Sequence, residues 1–207
     1  RSARNWGIGD FTDLVDLIRH ASTQGIAAIG LTPLHALFFD EPDRCSPYSP
    51  SSRSFLNVAY IDPEALPEFA TCEDAQALRA EFDGDLARLR SNPRVDYAGV
   101  AGFKRRMFDL LYRHFQDQHL RSGDAYAAAF DRFRKDRGKR LRQFATFEAL
   151  REHFAASGDS LSWPSWPAPF RDPEGPAVMD FVARHADRVT FFEYLQWHAH
   201  RQLQHCQ

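Results

Sequence analysis

The feature that most limits what this chain can fold into is a run of six apolar or small residues, 26–31. The run shows no alternation of polar and apolar side chains. A strand without alternation has both faces covered, as in the parallel sheet of an α/β protein. Parallel sheets bind their ligands beyond the carboxyl ends of the strands. We therefore expect residues 26–31 to form a buried strand and the segment after it to carry a site.

The segment that follows the run, residues 45–53, is dense in hydroxyl groups. Pro47 and Pro50 restrict its backbone. It also carries one aromatic ring, Tyr48, and one guanidinium, Arg53. Hydroxyls that both donate and accept, next to an aromatic face, suit an uncharged polyhydroxylated ligand such as a sugar. No glycine-rich phosphate-binding pattern is present.

Charge and cysteine content exclude several classes of partner. The formal net charge of the 207 residues is −2, which indicates neither a nucleic-acid nor a membrane partner. The three cysteines have irregular spacing, which argues against a disulfide framework and favours a reducing, cytoplasmic compartment. The chain begins without methionine and ends within a helical pattern. We therefore expect a segment of a longer protein, with a protease-trimmed terminus as the alternative.

The residues on either side of the apolar run predict its context. Asp10 is a good N-cap for a helix with apolar residues at helical spacing, and Gly25 stands where that helix should end. Downstream, only residues 57–62 offer a further short strand. A parallel strand needs neighbours at both edges, so the pattern implies a sheet whose other strands lie outside this sequence.

From about residue 73 the chain is predicted to be helical. A rigid loop rich in tryptophan and proline, residues 162–169, interrupts the helices. The expected helices are residues 74–82, 85–90, 97–119, 126–137, 141–156, 174–185 and 189–206. The basic run 132–142 is balanced by Asp131 and Asp136 and is predicted to be a solvated helix face.

Several ordered motifs across nearly the whole chain closely resemble the 4-α-glucanotransferases, also called amylomaltases. They are RNWGIGDFTDL at 4–14, GLTPLHAL at 30–37, SPYSPSSR at 46–53, LN at 56–57, DYAGV at 96–100 with Lys104, FFEYLQW at 191–197 and QL at 202–203. The resemblance implies an α/β fold: part of a (β/α)8 barrel with a large, mostly helical insertion. It places the start of the barrel at residues 1–70, the insertion at 71–187 and a returning helix at 188–207.

The resemblance also implies the chemistry. Members of the family transfer segments of α-1,4-glucan, or maltodextrin, to acceptor glucans or glucose with retention of configuration. That outcome requires a carboxylate nucleophile and a carboxylic acid. In the family both acids follow the helical insertion, so we expect no catalytic residue in this segment and no activity from it alone. No cofactor is implied, and the expected partners are maltooligosaccharides and the remainder of the same polypeptide.

What the resemblance carries over is the wall of the substrate cleft. Ser46 and Tyr48 match family residues that line the cleft near the scissile bond. Secondary contacts or loop supports are expected at Ser49, Ser51, Ser52, Arg53 and Asn57, and His35 is a further cleft candidate. A structural brace is an alternative for Arg53. Trp6 and Trp163 could stack on a glucan, although anchoring of their own loops is the expected role.

Other polar clusters are expected to have no catalytic role. Asp40, Glu41, Asp43, Asp83 and Asp85 are predicted to be solvated, and no histidine pair has the spacing of a helical metal site. An alternative function is a non-catalytic glucan-binding or helical interaction module. The solitary apolar strand argues against that alternative, because an unpaired strand would be exposed and prone to aggregation.

Overall fold

The computed structural model describes residues 2–206 and divides them into two compact units. One consists of residues 2–122 with 196–206, and the other of residues 123–195. Helices dominate both, and the only sheet in the described part of the chain has two strands. None of the helices between residues 2 and 206 is long and apolar enough to cross a bilayer. The predicted barrel boundaries at residues 70 and 187 stay a prediction.

The first helix confirms its sequence prediction. Helix α1, Phe11–Thr23, begins with a capping box. The Asp10 carboxylate accepts from the Asp13 backbone N–H, and the Asp13 carboxylate accepts from the Asp10 backbone N–H. Gly25 follows the helix with φ +73°, a conformation that glycine adopts without strain. The chain therefore leaves α1 directly into the apolar run.

The prediction of a buried strand at residues 26–31 is wrong for this structure. The run forms no regular element, and Ile26 and Leu31 are 54% and 49% exposed. A parallel strand needs hydrogen-bonded neighbours, and no described residue supplies one beside this run. Its apolar side chains instead border a groove of about 420 Å³ together with Leu14, Ile18 and Leu203.

The sheet lies later in the chain than expected. Strand β1, His35–Ala36, pairs antiparallel with β2, Ser52–Leu56, with an irregularity between its two residues. The short strand predicted at residues 57–62 is also wrong. Asn57 ends the extended backbone because its side chain accepts from the Ala59 N–H (3.0 Å) and caps a 3-10 turn, Val58–Tyr60.

Three helices contribute buried apolar side chains to the core of the first unit. They are α2, Glu73–Glu81, α3, Asp83–Ser91, and α4, Tyr97–Phe115, which continues into a π-helical turn, Gln116–Leu120. All three confirm predicted helices. The buried stripe of α4 contains the expected Val100, Met107 and Leu111, and also Lys104. Phe115 at the end of α4 packs against Trp197, with ring centroids 5.8 Å apart.

The second unit consists of two long helices, a short one and the tryptophan–proline loop. Helix α5, Ala125–Ala156, is broken at Gly138 (φ 57°, ψ −142°), which agrees with the two predicted helices. Helices α6, Pro176–Arg184, and α7, Ala186–His205, follow, and residues of α7 up to 195 belong to this unit. Rings of Phe130 and Tyr194 meet edge to face at 6.4 Å within its core. Residues 135–140 of the basic run are exposed, as predicted, whereas Arg134 and Arg142 are half-buried and pair with the buried Glu193.

Candidate functional site

The predicted cleft residues lie on the loop that joins β1 to β2 and on β2 itself. Ser51 holds the base of this loop. Its backbone N–H donates to the Ala36 carbonyl (2.8 Å), and its hydroxyl donates to the carbonyls of Ala36 (3.1 Å) and Leu37 (3.3 Å). Ser51 is therefore a loop support in this structure.

The tip of the loop presents three side chains to solvent. Ser46 and Ser49 are exposed and close a turn, in which the Ser49 N–H donates to the Ser46 carbonyl at 3.0 Å. Tyr48, between them, is 73% exposed. An exposed phenol ring of this kind supplies an apolar face and a hydroxyl. Three hydroxyls and a ring therefore stand together on a fixed turn.

The remaining candidates are more deeply embedded, with one exception. Ser52 is half-buried and accepts from the Ser54 N–H (3.2 Å), whereas Arg53 is exposed on β2. Asn57 is buried, donates its N–H to the Leu34 carbonyl (3.0 Å) and caps the following turn. His35 pairs with Leu56 across the ribbon and is half-buried. The backbone that carries Ser46, Tyr48 and Arg53 is therefore held by hydrogen bonds of the other candidates, Ser51, Ser52 and Asn57.

Two glutamines of α7, which the sequence analysis did not single out individually, fasten the segment that follows the loop. Gln196 accepts from the Leu56 N–H (3.0 Å) and donates to the Leu56 carbonyl (2.8 Å). Gln202 makes the same pair with Asp62, both at 2.8 Å. Each amide side chain thus makes the two backbone hydrogen bonds that one residue would otherwise make to a neighbouring strand. A sequence signal existed, since buried or half-buried amides on an inward helix face require partners.

A charged cluster secures the other end of the same segment. Lys104 is fully buried and donates to the carbonyls of Ala59 and Ile61, both at 2.6 Å. Burial lowers the pKa of Lys104 to about 8, against the opposing attraction of Asp10 and Asp62. Arg4 joins both of these carboxylates, with contacts of 2.5 Å to Asp10 and 2.6 Å to Asp62. Burial raises the pKa of Asp62.

Three of the acidic residues that could suggest catalysis form ion pairs. Asp83 and Asp85 lie on the surface in ion pairs with Arg79 and Arg88. Glu41 pairs with Arg44 at 3.2 Å. Among residues 2–206 no group of three or more potential ligands could hold a metal ion. The arrangement can present hydroxyls and a ring to an uncharged ligand, and it is anchored by backbone hydrogen bonds.

Comparison with known proteins places these features in one family. A family model described as 4-alpha-glucanotransferase matches residues 1–207. A 4-alpha-glucanotransferase of Haemophilus influenzae is 32% identical over 209 residues, covering 98% of this chain and 30% of that protein. One of Mycobacterium bovis is 35% identical over 218 residues, covering 98% of this chain and 28% of that protein.

A solved structure agrees with the sequence relatives. The crystal structure of amylomaltase from Corynebacterium glutamicum superposes with a TM-score of 0.74 at 28% identity, covering 100% of this chain and 26% of that one. The chain thus spans about 30% of the length of the curated relatives it matches. Because the family model covers the chain from end to end, the chain belongs to the 4-alpha-glucanotransferase family.

Proposed function

We propose that this chain forms one wall of the substrate cleft of a 4-α-glucanotransferase that moves segments of α-1,4-glucan between maltooligosaccharides. The observation that carries the proposal is the family match along all 207 residues. The loop geometry supports it, since Ser46 and Tyr48 are exposed on a turn anchored at Ser51. In this proposal Ser46 and Tyr48 contact the glucan, and Ser49 and Arg53 add contacts at its edge.

The remaining predicted residues have supporting roles in the proposal. Ser51, Ser52 and Asn57 keep the loop and β2 in the conformation that binds, and His35 lies at the edge of the cleft. A preorganised loop loses less conformational entropy when the sugar binds. The ligand needs no charged partner here, because hydroxyl and ring contacts match an uncharged glucan.

The bond-breaking groups belong to the rest of the polypeptide in this proposal. A carboxylic acid protonates the oxygen of the leaving glucan while a carboxylate attacks the anomeric carbon and forms a glycosyl–enzyme intermediate. The 4-hydroxyl of an acceptor then attacks the same carbon, gives its proton to the first residue and releases the carboxylate. Residues 1–70 contribute the start of the barrel and residues 71–187 the helical insertion.

Three free cysteines support a reducing, cytoplasmic location.

A transfer assay tests the proposal. The longer polypeptide that carries this segment should convert two maltotrioses into glucose and maltopentaose, whereas the 207-residue chain alone should leave maltotriose unchanged. Turnover by the pure 207-residue chain would contradict the assignment of the catalytic acids to the remainder. Failure of the longer polypeptide to transfer, with its fold intact, would contradict the function itself.

A further inference from the structure

A cavity of the second unit has no part in the proposed reaction. It lies far along the chain from residues 37–51, the loop between β1 and β2 that we call the cleft loop. It has a volume of about 680 Å³ and lies between α5, the tryptophan–proline loop and α6. This volume falls within the roughly 300–1,000 Å³ of small-molecule sites. Its floor includes the buried Trp166, Leu150 and Val178.

Four aromatic rings line this groove. Phe147 packs against Trp166 with ring centroids 5.5 Å apart, and both line the groove. Trp163 and Met179 also line it and are 48% and 65% exposed, among the most exposed large apolar side chains described. Trp166 is fixed, because its indole N–H donates to the Ser160 carbonyl (3.0 Å) and the Arg171 Nε donates to the Trp166 carbonyl (2.7 Å). A rigid apolar surface therefore remains open to a ligand.

Three cations line the polar rim of the groove: Lys139 and Arg142 pair with carboxylates of the unit, and Arg171 donates its Nε to the Trp166 carbonyl. Lys139 pairs with Glu174, and Gln143 also donates to Glu174 at 3.4 Å. Arg142 donates to the buried Glu193 at 3.3 Å. A charged ligand would have to compete with these pairs. A protein face laid over the rim would remove the exposed Lys139–Glu174 pair from water, which is costly.

We propose that this groove is a second binding site for α-1,4-glucan, separate from the cleft loop; the choice of glucan rests on the proposed function. A glucan has apolar C–H faces that pack on Trp163 and Trp166, and hydroxyls that replace water at the rim pair. It is uncharged, so binding does not require it to break the ion pairs of the rim. Such a site would hold glucan on the helical unit independently of the cleft.

Tryptophan signals provide a direct test. The chain has four tryptophans, of which Trp6 and Trp197 belong to the first unit and are buried. Maltoheptaose is titrated into the 15N-labelled chain, and the four indole N–H signals are followed, with sorbitol as a control polyol. The Trp163 and Trp166 signals, assigned with Trp163→Phe and Trp166→Phe, should shift saturably with maltoheptaose and not with sorbitol. Signals that do not move would overturn the second site.

Variants separate stacking from folding. Trp163→Ala should weaken binding about tenfold by loss of the stacking surface, and Trp163→Phe should restore most of it. Met179→Arg, on an exposed wall, should block the groove, while Leu17→Arg, at 49% exposure on α1, is the matched control and should bind normally. Normal binding by both Trp163→Ala and Met179→Arg would overturn the site.

The outcome for the second site is distinguishable from that for the cleft. Tyr48→Ala should leave the Trp163 response to maltoheptaose unchanged. Transfer by the longer polypeptide without a Trp163 response would overturn the groove site alone, and a saturable response without transfer would overturn the cleft proposal alone. Protection of Trp163 from acrylamide quenching in the unliganded longer polypeptide would show that its own chain fills the groove, which also overturns the site.

Discussion

The side-chain amide of Gln196 is paired with the backbone of Leu56 through both of its groups, over 3.0 and 2.8 Å and across 140 residues of sequence. Leu56 ends β2, the strand that carries Ser52 and Arg53. The last helix therefore holds the strand next to the cleft loop as a neighbouring strand would. Gln202 holds Asp62 in the same way, which provides a matched comparison.

Replacing Gln196 should therefore disturb the cleft loop more than replacing Gln202. Each change to alanine removes two hydrogen bonds and should lower the free energy of unfolding by about 1–3 kcal/mol in urea titrations. In the longer polypeptide, Gln196→Ala should also raise the KM for maltotriose, because β2 adjoins the loop. Equal KM values for the Gln196→Ala and Gln202→Ala variants would contradict a positioning role for Gln196.

Tyr48 should matter for transfer and not for folding. Because its side chain is 73% exposed, Tyr48→Ala should change the free energy of unfolding by less than about 0.5 kcal/mol. In the longer polypeptide the same change should lower kcat/KM for maltotriose at least about tenfold, which corresponds to a loss of about 1.4 kcal/mol of binding in the transition state. Tyr48→Phe keeps the ring and should retain most of this activity. Activity of Tyr48→Ala equal to the parent would remove Tyr48 from the site.

Lys104 should make stability depend on pH in a defined window. Its pKa is about 8 in the folded chain, against an ordinary value of 10.5 for an exposed lysine, so the unfolded chain binds more protons between these values. The free energy of unfolding should then rise with pH from 8 to 10.5, by up to about 3 kcal/mol from this residue. Lys104→Met should flatten this rise in pH-dependent urea titrations. A slope unchanged by the substitution would contradict the assignment.

Gly7 should be intolerant of any side chain. Its φ is +86°, and a Cβ at this position would lie 2.7 Å from the Leu89 Cβ, so both the backbone and the packing oppose substitution. Gly7→Ala should lower the free energy of unfolding by about 2 kcal/mol or more. Gly102 on α4 has open space, and Gly102→Ala should be neutral or raise stability by up to about 1 kcal/mol. Thermal unfolding of both variants provides the comparison.

The local sequence was sufficient for elements whose stability arises within them. The capping box of Asp10 and Asp13, the glycine at residue 25 and the apolar periodicity of α4 each act over a few residues, and all form as predicted. The family motifs likewise follow from the order of residues alone. Local interactions of this kind need no partner from elsewhere in the chain.

Features that depend on distant partners were decided only by the tertiary structure. The apolar run 26–31 has the composition of a buried strand, yet it forms none here because no described residue forms a strand beside it. Asn57 became a cap instead of a strand residue because its side chain competes locally for the Ala59 N–H. The pairing of Gln196 with Leu56 could not be predicted, since helix periodicity shows that an amide faces inward and not which backbone group it meets.

The cleft loop shows both contributions at once. Its residues alone indicated a sugar-binding surface, because hydroxyls, prolines and one ring occur together between residues 45 and 53. The tertiary structure separates those residues by role. The Ser51 hydroxyl donates to the backbone of β1, whereas Ser46 and Tyr48 remain exposed. Composition determines which chemistry a segment can offer, and long-range hydrogen bonds determine which of its groups are left to offer it.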